Sequence, residues 1–243
     1  MPSHNEVERV HEELTRIFEN EDDPISPPGV KSPDLLESAC TRPHTGIGSQ
    51  DKYETLEAKA AALFHSLTKN HAFHNGNKRT ALVTMLTVLR RNDRILSNSV
   101  TDEIIYDFVV SVTADEFPTP GHGLDVDGIV DSIAQWLRSN SEPSSSRTSG
   151  MKTKDFIKRC QQAGATVKES KGGSYVVTAN QHGIRFSRST RQLNGNAIRT
   201  YLRNLGISES TSGVTFDEFQ EGIDVDRTEI RRYMVALRRL AKT

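Results

Sequence analysis

Residues 139–150 read Ser-Asn-Ser-Glu-Pro-Ser-Ser-Ser-Arg-Thr-Ser-Gly, without one aliphatic or aromatic side chain. A hydrophobic core cannot run through such a stretch, so it predicts a flexible linker between two separately folded units. The charge agrees with that division. Residues 1–140 carry 13 Lys and Arg against 22 Asp and Glu, a net −9, whereas 151–207 carry 11 Lys and Arg against only Asp155 and Glu169, a net +9. The formal total of −1 over 243 residues therefore conceals two units of opposite sign, which suit different partners. The expected division is a domain at 1–138, the linker at 139–150, a basic unit at 151–207 and a helical tail at 208–243.

The first unit reads as helical throughout. Val7, Val10, Leu14, Ile17 and Phe18 mark an amphipathic helix over 5–20, which Glu21-Asp22-Asp23-Pro24 ends. A short helix is expected over Leu35–Ala39, then a glycine-containing loop from Arg42 to Tyr53. Apolar residues at helical spacing predict further helices at Glu54–Asn70, Lys78–Asn92, Asp102–Glu116 and Asp127–Leu137. Pro118-Thr119-Pro120-Gly121 breaks the chain between the last two.

The loop His71-Ala72-Phe73-His74-Asn75-Gly76-Asn77-Lys78-Arg79 falls between two of these helices. Histidine is the side chain suited to accept a hydroxyl proton at neutral pH, which makes His71 the candidate base. Gly76 and Asn77 can turn backbone N–H groups toward an anion, and Lys78 and Arg79 add full charge on the first turn of the next helix. An arginine fork fits phosphate oxygens in bidentate fashion. Phe73 is expected to point inward and anchor the loop, and His74 to face solvent. A plain solvated pair of cations is the bland reading of Lys78 and Arg79. A His71/His74 zinc pair finds no further Cys or His nearby. Such a set suits phosphoryl transfer, which depends on positioning and charge neutralisation.

The loop resembles the signature of the Fic/Doc superfamily, His-x-Phe-x-(Asp/Glu/Asn)-(Gly/Ala)-Asn-(Gly/Lys)-Arg. The resemblance extends to Leu35-Leu36-Glu37-Ser38-Ala39 with Arg42-Pro43, to Ala58-Lys59-Ala60-Ala61 and to Thr80-Ala81-Leu82, and covers roughly 24–139. Lys78 in place of glycine is similar to the Doc (death-on-curing) branch of toxins, which phosphorylate a translation elongation factor; the glycine-bearing Fic branch transfers AMP. The resemblance implies a helical bundle and a nucleotide triphosphate, ATP or another, used with Mg²⁺. It also implies His71 as catalytic base, with Gly76, Asn77, Lys78 and Arg79 on phosphate. Asn75 stands where Fic proteins place an acidic Mg²⁺ ligand, and its neutral amide makes it a weaker one. In the family, the loop over 42–53 borders the site where a target segment docks. Thr15 to Asn20 also fits the family's inhibitory-helix pattern, with Glu19 as the blocking residue. The arginine that this glutamate pairs with in the family is replaced here by Leu82, and an ordinary edge helix is the alternative.

The second unit reads α-β-β-β-α. A helix around Phe156, Ile157 and Cys160 ends near Gly164, strands follow at Ala165–Lys168, Ser174–Thr178 and Ile184–Ser187, and a helix closes at Asn196–Leu205 before Gly206. It resembles the HicA family of small RNA-cleaving toxins, whose fold is like that of double-stranded-RNA-binding domains. Gly164, Lys171-Gly172-Gly173-Ser174 and Leu193 through Ile207 carry that resemblance. The family's catalytic histidine is replaced by Tyr175, so binding without cleavage is expected. Lys168, Lys171, Arg185, Arg188, Arg191, Arg199 and Arg203 are the nucleic-acid-binding candidates. Docking onto the acidic first unit is the competing use of this charge.

In the tail, Thr215 with Glu218 and Asp226 with Glu229 resemble capping boxes, and Ile230, Tyr233, Met234, Leu237 and Leu240 form one helix face. That face suits packing against a neighbouring domain or another chain; a helix-turn-helix is an alternative. Only Cys40 and Cys160 are present, one in each unit, which argues against a disulfide framework and for a reducing, cytoplasmic setting. The first residues lack a signal-peptide pattern, and no apolar run is long enough to span a bilayer, so no membrane partner is expected. Two function classes follow. One is a Doc-like toxin or effector that transfers a phosphoryl group, or else AMP, to a protein hydroxyl, in a toxin–antitoxin or defence setting. The other is a non-catalytic RNA-binding protein that uses the helical fold as a scaffold.

Overall fold

The structure is a computed structural model that describes residues 1–48, 50–118, 123–143, 150–170, 172–207, 219 and 225–243, with backbone alone at 47 and 225–228. Two compact units are present: Met1–Ser144 with Asp226–Thr243, and Ser145–Val225.

In the first unit, helices α1 (His4–Phe18), α2 (Pro33–Thr41), α3 (Leu56–Lys69), α4 (Asn77–Arg91), α5 (Asp102–Thr113) and α6 (Val126–Asn140) surround a core built on α3 and α4. Both central helices bury nearly every residue along their middle turns, from Ala60 to Thr68 and from Arg79 to Leu89. α1 buries Val7, Val10, His11, Leu14 and Phe18 as a single stripe. α2 runs longer than the short expected helix, because Ser32 accepts from Leu35 N–H and Pro33 opens the first turn. An aromatic stack of Phe64, Phe108 and Trp136, with centroids 5.4 and 3.9 Å apart, ties α3, α5 and α6 together.

The first unit is not wholly helical. β1 (Gly46–Ile47) pairs antiparallel with β2 (Gln50–Asp51), and β3 (Arg94–Leu96) with β4 (Ser141–Pro143). The second ladder changes where the linker begins. α6 continues to Asn140, and the Arg94 guanidinium then donates to the Ser141 carbonyl and hydroxyl at 2.9 Å. Serine-rich composition therefore does not free residues 139–143, which α6 and the β3–β4 ladder hold in the folded unit; residues 144–149 lie outside the described residues.

The expected tail divides between the units. Phe219 packs against Phe156, centroids 5.6 Å apart, in the core of the second unit. α9 (Val225–Arg232) and α10 (Met234–Leu240) belong to the first unit, where Ile230, Tyr233, Ala236, Leu237 and Leu240 are buried. α10 lies along α5 and α4. The Thr215–Glu218 start lies outside the described residues, and Asp226 is described by backbone alone.

The second unit holds β5 (Met151–Lys152), α7 (Thr153–Gln162), β6 (Thr166–Ser170), β7 (Ser174–Ala179), β8 (His182–Ser187), β9 (Gln192–Leu193) and α8 (Gly195–Asn204). β6, β7 and β8 form an antiparallel sheet in that order, and β5 pairs with β9. Val167, Val177 and Ile184 are in register, as are Glu169, Tyr175 and Phe186. Strand alternation puts both rows on one face, where Val177, Ile184 and Phe186 join Phe156, Cys160, Ile198 and Leu202 in the core. The α-β-β-β-α order is therefore present, with the β5–β9 pair added.

Candidate active site

The loop between α3 and α4 is held from three sides. α3 ends at Lys69 with Asn70 as its cap, and His71 follows with φ 49°, in the left-handed region usually given to glycine at that place. Ala72 O accepts from Lys31 N and Ser32 N at 2.8 and 3.0 Å, Phe73 bridges Val30, and His74 N donates to Gly29 O at 3.1 Å. Asn77 then closes the turn on itself: Phe73 N donates to its Oδ1 at 3.0 Å, and its Nδ2 donates to Phe73 O at 2.9 Å. Gly76 caps α4 at φ 75° with no side-chain bond to the helix end, and a Cβ there would meet Ile25 Cδ1 at 2.9 Å. Only glycine meets both demands without strain.

Phe73 is 2% exposed and stacks on the His11 ring, with centroids 4.1 Å and planes 16° apart. His11 Nε2 accepts from Gly29 N at 3.1 Å, so its proton sits on Nδ1, within 3.0 Å of Thr80 Oγ1. Burial, assisted by the neighbouring Arg79 charge, pushes the His11 pKa down to about 4. The ring is neutral at pH 7. His11 thus joins α1, the 29–32 segment and the first turn of α4. Its signal in the sequence was a histidine in phase with Val7 and Leu14 on an apolar stripe.

His71, Asn75, Gly76, Asn77, Lys78 and Arg79 line one cavity of 210 Å³, together with Thr68, Leu240, Ala241 and Thr243. His71 stands exposed at its rim. The Lys78 ammonium donates to Thr243 Oγ1 at 3.0 Å, and partial burial lowers its pKa. His74 is exposed, as expected.

Two residues are placed differently from the expectation. Arg79 is 2% exposed; its Nη1 donates to the Asp23 carbonyl at 3.1 Å and its guanidinium lies 4.7 Å from the centre of the Phe18 ring. Burial lowers its pKa, with Asp23 opposing. Arg79 is part of the wall and is held by the protein itself, where a phosphate ligand on an open helix turn was expected. Asn75 spends its amide on the loop: Oδ1 accepts from Gly76 N at 2.6 Å, and Nδ2 donates to Ser26 O at 2.9 Å. That amide oxygen is already engaged, and no group of three His, Cys, Asp or Glu residues suited to a metal occurs among the described residues. Among the described residues the loop thus offers no protein cage for Mg²⁺, and a metal there would need oxygens from a bound ligand. Glu19 is exposed at the end of α1, and Leu82 is fully buried, so the ion pair of the inhibitory pattern is not formed.

The loop over 42–53 folds as the β1–β2 hairpin beside a second, open cavity of 650 Å³ lined by Arg42, Gly46, Gln50 and Tyr53 among others. Asp127 gathers its cations. Lys52 Nζ reaches Asp127 Oδ2 at 2.6 Å, Tyr53 Oη donates to Oδ1 at 3.3 Å, and Arg42 Nη2 is 3.7 Å away. The Lys52 bond holds the Asp127 carboxyl below the usual carboxylate range.

In the second unit, Lys168 and Arg185 are both exposed and stand on either side of Val176 across the three strands. They share the sheet face opposite the core. The other candidates do not join them: Arg188 pairs with Glu169 at 3.0 Å, Arg191 lies in the loop before β9, and Arg199 and Arg203 are on α8. Lys171 lies outside the described residues. Tyr175 is half-buried with its ring 5.7 Å from Phe186.

Among the described residues, no helix is long and apolar enough to cross a membrane. No solved structure matches the chain. Residues 2–89 match the model of the Fic/DOC family, so the likeness begins at α1, earlier than the residues 24–139 that carried the resemblance, and ends within α4. The early start has a physical basis, since α1 supplies His11 to the loop. Toxin Doc of Mycolicibacterium smegmatis is 44% identical over 63 residues, which are 26% of this chain and 48% of that protein. The chain thus spans about half the length of that relative, and its likeness to the Fic/DOC family lies in the stretch from α1 through most of α4.

Proposed function

We propose that the first unit is a Doc-like toxin or effector enzyme that transfers a phosphoryl group from ATP, or another nucleoside triphosphate, to a hydroxyl of a target protein. One observation carries this reading: His71, the uncapped start of α4 and Lys78 meet in a single cavity of 210 Å³. The target hydroxyl oxygen attacks the γ-phosphorus, the bond from that phosphorus to the β-phosphate oxygen breaks, and ADP leaves. The hydroxyl proton passes to the His71 ring. The N–H groups at the start of α4 and the Lys78 ammonium meet the charge on the phosphoryl oxygens. The second cavity beside the β1–β2 hairpin is the place for the target segment. A translation elongation factor is the target class that the Doc resemblance suggests, and a neutralising antitoxin the partner. AMP transfer is the alternative chemistry. Incubation with lysate and ATP labelled at either the α- or the γ-phosphate separates them: label from the γ position alone is the expected result, label from the α position alone means AMP transfer, and no label from either overturns the enzyme.

A nucleic-acid role for the second unit draws on the Lys168–Arg185 pair on the open sheet face and on its resemblance to HicA. The full chain is expected to bind structured RNA without cleaving it. Binding that rests on phosphates weakens steeply with salt, about 10³–10⁵-fold between 50 and 200 mM for 6–10 contacts, and proportionally less for fewer. A double reversal, Lys168→Glu with Arg185→Glu, should weaken the gel-shift affinity and flatten its salt slope. An unchanged slope would leave the charge as a solvated face.

A further inference from the structure

The cavity at the loop is completed by residues far away in the chain. Leu240, Ala241 and Thr243 form one side of it, and Thr243 Oγ1 holds the Lys78 ammonium while donating to Leu240 O at 3.1 Å. This side is firmly seated. Leu237 and Leu240 are buried, Asp102 Oδ1 accepts from Ala236 N at 2.9 Å, and the Arg238 fork grips Glu21 at 2.7 and 2.8 Å. Arg239 lies 4.0 Å from the centre of the Tyr106 ring. With that side in place the cavity measures 210 Å³. Whole small-molecule ligands occupy pockets of about 300–1,000 Å³. This cavity lies below that range.

We propose that Leu240, Ala241 and Thr243 are specificity-determining residues, a wall that lets a chain-end phosphate reach His71 and excludes a phosphate esterified on both sides. This deepens the phosphoryl-transfer reading and rests on it. The γ-phosphate of ATP carries one bridging bond and three outward oxygens, so it can enter with the rest of the nucleotide trailing outside. The α-phosphate is flanked by ribose on one side and the β-phosphate on the other, and presenting it to His71 requires space that the wall occupies.

Three probes test this on the full chain by equilibrium binding: ATP, inorganic tripolyphosphate and diadenosine tetraphosphate, which has no chain-end phosphate. The intact protein is expected to bind ATP and tripolyphosphate and to bind the dinucleotide at least about tenfold more weakly, a difference of ~1.4 kcal/mol. A chain ending at Leu240 keeps the buried face of α10 and removes the outer wall; its affinity for the dinucleotide should rise about tenfold or more, with tripolyphosphate changing far less. Thr243→Ala frees Lys78 but leaves the backbone of the wall, so it should strengthen tripolyphosphate binding and still exclude the dinucleotide. Equal binding of ATP and the dinucleotide by the intact protein overturns the wall, as does discrimination that survives the truncation. Failure of all three probes to bind either chain overturns the phosphate site itself, a distinct outcome.

Discussion

His71→Ala will lower group transfer by about 10²–10⁴-fold, the usual loss when a positioned general base is removed. The fold should survive, because His71 is exposed at the cavity rim and the loop is anchored by its neighbours. The backbone at this position supplies a second, independent measurement. His71 holds φ 49°, where a side chain costs about 1–2 kcal/mol that glycine avoids. His71→Gly should therefore be as inactive as His71→Ala yet more stable than it in urea by about 1 kcal/mol. Strain kept at a residue that contributes no core packing marks a position chosen for its side chain. Transfer at the level of the unchanged protein in either variant would remove His71 from the mechanism. Equal stability of the two would show that the left-handed backbone costs nothing here.

The largest effect on stability is expected at Phe73. Its ring is 2% exposed, stacked on His11, and bridged through its backbone to Val30. Phe73→Ala should cost about 3–5 kcal/mol, the range for truncating a buried aromatic side chain. The cavity it leaves opens directly onto the polar groups of the loop, so collapse around it is restricted. Phe73→Leu should cost clearly less. Chemical denaturation measures both, and a loss below about 0.5 kcal/mol for the alanine variant, the range of ordinary surface changes, would show that the loop is held by its hydrogen bonds alone.

The two variants separate what local sequence carries from what it does not. The helices around the loop were legible because their apolar residues keep a 3.6-residue period, and the three strands of the second unit because Val167, Val177 and Ile184 sit between clear turns. The loop was legible as a tight turn into α4 from Gly76, which caps that helix at φ 75°. The uses made of Asn75 and Arg79 were not. Their partners, Ser26 and the Asp23 carbonyl, are 49 and 56 residues away, and backbone carbonyls leave no trace in composition. The start of the linker was misplaced for a similar reason: serine looks unanchored until Arg94 binds it across 47 residues. The return of α10 to the loop belongs to the same class, since an amphipathic face shows that a helix will pack but not where.

That return sets an order of events during synthesis. The loop and α4 leave the ribosome first, the second unit follows, and only afterwards come residues 234–243. At about 5–20 residues per second, roughly 155 residues separate Arg79 from Met234 and take about 8–30 s to make. Throughout that interval His71 and Lys78 exist on a nascent chain without Thr243 beside them, tethered to the translation machinery. Until residues 240–243 are made, the cavity at the loop lacks the side that Leu240, Ala241 and Thr243 supply.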